Sequence, residues 1–92
     1  MKKYYNFSPR GFANEFTTLY VESAEQEEKL LNWYEEIRDQ DTDLQRVTVR
    51  ELRELAQIER ERLRVDPDFG FNCNPDEPIS FVEFSQRFGI DL

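Results

Sequence analysis

The chain has 92 residues, which is one domain over 1–92 with a small single core. Its 20 acidic and 12 basic side chains leave a net charge of -8, which disfavours direct binding to nucleic acid and favours basic partners. Without histidine and with Cys73 as its single cysteine, it lacks the commonest general base and any thiolate cage, so no enzyme activity, metal or cofactor is expected.

The elements follow in chain order. Lys3–Phe7 and Glu15–Glu22 are rich in Tyr, Phe, Thr and Val, which suit strands, and Ser8-Pro9-Arg10-Gly11 between them has turn chemistry. No apolar stretch follows the N-terminal lysines as in a secretion signal, and none reaches the about 20 residues a bilayer crossing needs. The expected location is cytoplasmic, with no membrane partner.

Ser23 followed by Gln26 has capping-box spacing and opens a helix over 24–38. Leu30, Leu31, Trp33, Tyr34 and Ile37 share its apolar side, and Glu25 and Lys29 form an i,i+4 pair. After an Asp-rich turn, Leu44–Val47 suits a third short strand that would close a β–α–β unit around this helix. Thr48 followed by Glu51, with Val47 and Leu52 as a hydrophobic staple, opens a second helix over 49–64 that stops before Asp66-Pro67. Val49, Leu52, Leu55, Ala56 and Leu63 lie on one side of it.

Residues 65–79 hold three of the four prolines and read as a long loop, a type of segment that is often functional or mobile. Ser80 followed by Glu83, stapled by Ile79 and Phe84, opens a short helix over 81–88 with Gly89 as its C-terminal cap. Trp33, Tyr34, Phe81, Phe84 and Phe88 are the expected core. The expected fold is a small α+β domain: an N-terminal two- or three-stranded antiparallel or mixed sheet, two longer helices and a short C-terminal one, packed on one face. A helical domain with only a two-stranded ribbon is the alternative.

Several motifs tempt and then fail. Asp39-Gln40-Asp41-Thr42-Asp43 opens like a calcium loop, but the sixth position is Leu44 instead of glycine and the twelfth is Arg50 instead of glutamate. Cys73 has no histidine to activate it and lies among acids, which favours the neutral thiol. The glycines at 11, 70 and 89 form no phosphate loop.

Charge is what remains, and it is unevenly spread. Residues 22–43 carry nine acids against Lys29 and Arg38, whereas 44–65 carry six arginines against four glutamates. The arginines, Arg46, Arg50, Arg53, Arg60, Arg62 and Arg64, are interleaved with Glu54, Glu59 and Glu61. They read as an ion-paired helix, partly paired to the acidic first helix, with a phosphate- or acid-binding face as the competing reading. The loop of about sixteen residues before the last helix is too long for a helix-turn-helix.

The acidic block therefore points to a contact surface for a protein with a basic surface, including a nucleic-acid-binding complex. Its candidate residues are Glu25, Glu28, Glu35, Glu36, Asp39, Asp41 and Asp43. Phe69 and Phe71 bracket Gly70 in the polar loop as either loop anchors or partner-binding knobs. In size, charge and lack of catalytic side chains the chain resembles the small acidic inhibitors that bacteriophages and mobile elements use against host nucleases, including DNA mimics and anti-CRISPR proteins. That resemblance implies inhibition by occupying a basic surface and assigns no individual residue. A regulatory or accessory subunit, such as an antitoxin-like partner, is the alternative, and a nucleic-acid binder acting through the arginine-rich 46–64 helix is the third reading.

Overall fold

The computed structural model describes residues 2–9, 15–39, 41–67 and 72–91. In chain order the elements are β1 (Lys3–Ser8), β2 (Glu15–Val21), α1 (Ala24–Ile37), β3 (Asp43–Val47), α2 (Val49–Val65), β4 (Asn72–Cys73), β5 (Ile79–Ser80) and α3 (Phe81–Phe88). The domain is α+β with a mixed sheet, as the sequence pattern predicts.

Local chemistry sets each helix start. Ser23 Oγ accepts from the Gln26 N–H at 3.2 Å, and the Gln26 side chain reaches past the cap to accept from the Glu22 N–H at 2.8 Å. Thr48 and Glu51 complete the reciprocal box, with Thr48 Oγ1 accepting from the Glu51 N–H at 3.1 Å. Ser80 Oγ accepts from the Glu83 N–H at 3.1 Å. Gly89 ends α3 at φ 72°, a left-handed conformation that glycine adopts without strain, and the Ile90 N–H closes back on the Ser85 carbonyl at 2.9 Å.

β1 is the centre of the antiparallel part of the sheet. It pairs with β2 in the register Tyr5↔Leu19 and with β3 in the register Tyr5↔Arg46. β2 and β3 therefore run parallel with β1 between them, and the expected β–α–β unit is a split one. The far edge of β2 takes β4 and β5, both parallel to it. These two short strands correct the reading of 65–79 as loop throughout.

Asn74 explains how so short a pairing holds. Its side-chain carbonyl accepts from the Thr18 N–H at 2.7 Å and its amide donates to the Thr18 carbonyl at 3.0 Å. One side chain thus replaces the missing strand residue between β4 and β5, and a further bond to the Glu77 carbonyl at 3.0 Å fixes the turn.

Side chains alternate across the sheet. Tyr5, Phe7, Leu19 and Val21 face α1 and α3 and form one buried cluster with Leu30, Phe81 and Phe84. Trp33 and Phe88 pack on it, with Phe7 to Trp33 ring centroids at 5.2 Å and Phe84 to Phe88 at 4.4 Å. Tyr4, Asn6, Thr18 and Val47 lie on the other face, beneath α2, whose inward contacts come from Leu52 and Ala56. The expectation of helices on a single face is therefore corrected. α1 and α3 already occupy the first face, and the short link from β3 through Thr48 carries α2 to the second. Val49 and Leu63, predicted on the inner side of this helix, are exposed, as is Ile58.

A candidate protein-contact surface on the acidic helix

The period of α1 sorts its side chains. Leu30, Trp33 and Tyr34 turn toward the sheet, so the residues about half a turn away face outward. Glu25, Glu28, Glu35 and Glu36 fall on that outward arc, about 100° wide, and all four are exposed. The helix has 14 residues and is about 21 Å long, so this is an acidic stripe and not a point. Two members are partly compensated, Glu25 by Lys29 at 3.5 Å and Glu35 by Arg38 at 3.7 Å. Glu28 and Glu36 have no ion pair within 4.0 Å among the described residues. Exposed Leu31 borders the stripe and supplies an apolar neighbour.

Asp39 and Asp41, both exposed, follow the helix in its closing turn. The Asp39 carboxylate accepts from the Asp41 N–H at 2.8 Å and the Thr42 N–H at 3.0 Å, while Tyr34 Oη donates to the Thr42 carbonyl at 3.2 Å. The segment that opens like a calcium loop is thus a side-chain-locked turn in which one carboxylate is already engaged by backbone. Among the described residues no group of three or more Asp, Glu or Cys is placed to hold a metal ion.

Asp43 is not brought to the stripe. It lies opposite Ser8 in β3, on the sheet face beneath α2, where it lines a groove with Asn6, Gln45 and Glu51. Phe69 and Phe71 lie outside the described residues. Glu27 leaves the acidic surface for a different reason. Its carboxylate accepts from Tyr5 Oη at 2.6 Å and pairs with Lys3 at 3.0 Å. These bonds hold its pKa below the ordinary carboxylate value, and burial together with the Glu27 contact pushes Tyr5 up to about 12. Sequence spacing alone cannot find this link, because its partners come from β1.

The arginines are also redistributed. Arg46 belongs to β3 and places its guanidinium 6.0 Å from the Tyr5 ring centroid, on the α1 side. Arg50 pairs with Glu54 at 3.4 Å within α2. The expected pairing of α2 arginines with α1 does not occur among the described residues, because the sheet separates the two helices. Arg53 and Arg60 instead flank a groove beside Tyr4. The seven-residue spacing of those two arginines, one on each side of Ala56, is the signal that marks them as one edge.

At Cys73 burial pushes the thiol pKa up, outweighing an opposing hydrogen bond from the Phe16 backbone, and Glu59 and Glu15 push it further. That is the opposite of the low-pKa thiolate a cysteine nucleophile needs. No helix among the described residues is long and apolar enough to cross a membrane. No family model, no curated protein and no solved structure matches the chain.

Proposed function

We propose that this protein is a non-enzymatic interaction protein that uses the outer face of α1 to occupy a basic surface of a protein partner, one shaped to hold nucleic acid. The observation that carries this reading is the exposed carboxylate stripe of Glu25, Glu28, Glu35 and Glu36, extended by Asp39 and Asp41, on a helix that turns Leu30, Trp33 and Tyr34 into the core and leaves Leu31 and Ile37, expected on the same apolar side, exposed. Such a stripe speeds encounter with a cationic groove through long-range attraction, and Leu31 beside it adds an apolar contact that charge alone does not supply. The biological role that suits this surface is inhibition of the phage or mobile-element anti-defence type, in the manner of DNA mimics and anti-CRISPR proteins.

The test compares two baits in affinity capture: the native chain and the variant E25K/E28K/E35K/E36K. Both should give the same circular dichroism, since all four positions are exposed. The native bait should retain a nucleic-acid-binding protein that the variant and 0.5 M NaCl both release. Retention that ignores the reversal and the salt would contradict an electrostatic contact.

A second reading, an accessory or antitoxin-like subunit, draws on the exposed apolar side chains of α2. Ile58, Leu63 and Val65 are 46%, 39% and 85% exposed. Contact through them would survive high salt and be lost on substitution of Ile58 and Leu63 by Glu.

A further inference from the structure

Among the described residues, grooves between α2 and the sheet are concave features that the acidic stripe does not use. One of them, about 310 Å³, runs along the flank of α2 that carries Arg53 and Arg60. Tyr4, Leu52 and Ala56 line it on one side and Pro75, Asp76 and Pro78 on the other, so one carboxylate stands in the groove with the two cations. Both arginines are exposed and neither has an ion-pair partner within 4.0 Å among the described residues, although Arg60 is close enough to Glu59 to favour its ionised form. Val49, at the same groove, is 46% exposed, so apolar surface lies open beside the two cations.

We propose that this groove binds an acidic segment of a partner protein in the polyproline II conformation, with two carboxylates three residues apart. Arg53 and Arg60 are seven residues apart, an axial offset of about 10.5 Å. A polyproline II helix has three residues per turn and rises about 3.1 Å per residue, so side chains at i and i+3 share a face about 9.3 Å apart. The two spacings match within the reach of an arginine side chain. An extended strand matches less well, since its same-face side chains at i and i+2 lie about 6.7 Å apart and those at i and i+4 about 13 Å apart. The side lined by Tyr4, Leu52 and Ala56 suits the same ligand, because proline-rich helices dock on apolar surfaces lined by aromatic rings. Single-stranded nucleic acid would meet the arginines as well, but a chain with net charge -8 repels a continuous phosphate backbone more than two isolated carboxylates. This site is on the opposite side of the sheet from the α1 stripe and stands independently of it.

The test is a titration of the isotope-labelled full chain with the capped peptide Gly-Glu-Pro-Pro-Glu-Gly, followed through backbone amide signals. Saturable shifts are expected at Tyr4, Arg53, Arg60 and Asp76, with none on α1. The neutral Gly-Gln-Pro-Pro-Gln-Gly peptide should give no saturable shift, and Gly-Pro-Glu-Glu-Pro-Gly, with adjacent carboxylates, should bind more weakly. R53Q and R60Q should each weaken binding about two- to fivefold, the range of an exposed ion pair, while R64Q, outside the groove, changes nothing. Absence of saturable shifts up to the solubility limit of the peptide would overturn the proposal. So would equal binding of either control peptide, unchanged affinity in R53Q and R60Q, or tighter binding of hexathymidylate.

Discussion

The two faces of the sheet are built from different chemistry. Toward α1 and α3 it presents Tyr5, Phe7, Leu19 and Val21, and the rings of Trp33, Phe84 and Phe88 close over Phe7 within 5.2 to 5.7 Å. Toward α2 it presents Asn6, Thr18 and Gln45 in rows beside Tyr4, Tyr20, Phe16 and Val47, and α2 buries only Leu52 and Ala56 fully. The first face is a core with its ligand-accessible surface pushed to the outside of α1. The second is a helix resting on a mixed polar and apolar face, with grooves along both flanks. Stability is concentrated in one layer and concave surface in the other.

The sharpest way to break that contrast is to truncate one residue in each layer and follow urea unfolding. Phe84→Ala should cost about 3–5 kcal/mol, because a fully buried ring at the centre of an aromatic cluster leaves a cavity that its neighbours cannot fill. Leu52→Ala should cost about 2 kcal/mol, at the low end for a buried leucine, because α2 can settle toward the sheet. Equal costs would mean that α2 belongs to the same packed unit as α1 and α3.

Asn74→Ala probes the join between the faces. It removes the partners of both the N–H and the carbonyl of Thr18, a residue with no exposed surface, and should cost about 2 kcal/mol. Amide hydrogen exchange should then accelerate in 72–80 while β1 and β3 keep their protection. Uniform acceleration through the sheet would show that β4 and β5 are not a separable edge.

Smaller and pH-dependent is the link between α1 and β1. Tyr5 has its pKa pushed up to about 12 from 10.0, so its contribution is complete below pH 10 and is lost as pH rises from 10 to about 12. Glu27 has its pKa lowered from 4.5, so its contribution is present above pH 4.5 and is lost as pH falls below that value. Tyr5→Phe should cost about 1 kcal/mol at neutral pH and flatten the alkaline fall in stability. An unchanged alkaline profile would assign that fall to other groups.

What the sequence makes legible is what neighbouring residues decide. Ser23, Thr48 and Ser80 mark the helix starts because a hydroxyl and an N–H three residues on are all that a cap needs. Glu25, Glu28, Glu35 and Glu36 follow from the helical period once Leu30 and Trp33 fix the inner side. The placement of α2 is not legible in this way, because it depends on β3 pairing with β1 instead of β2. β4 and β5 have no periodic pattern of their own, since an asparagine side chain 56 residues from Thr18 does part of their pairing. Asp43 reads as a member of the acidic block until β3 turns it to the face beneath α2, and Glu27 until Lys3 and Tyr5 claim it.

The most direct measurement of the acidic stripe as working surface is competition on a captured partner. A fluorescent DNA duplex bound to that partner is titrated with the native chain and with E25K/E28K/E35K/E36K, at low salt and at 0.5 M NaCl. The native chain should release the duplex in low salt only, and the variant should release none. Release by both chains alike, or by neither, would contradict the assignment of the outer face of α1 to a basic, nucleic-acid-holding surface.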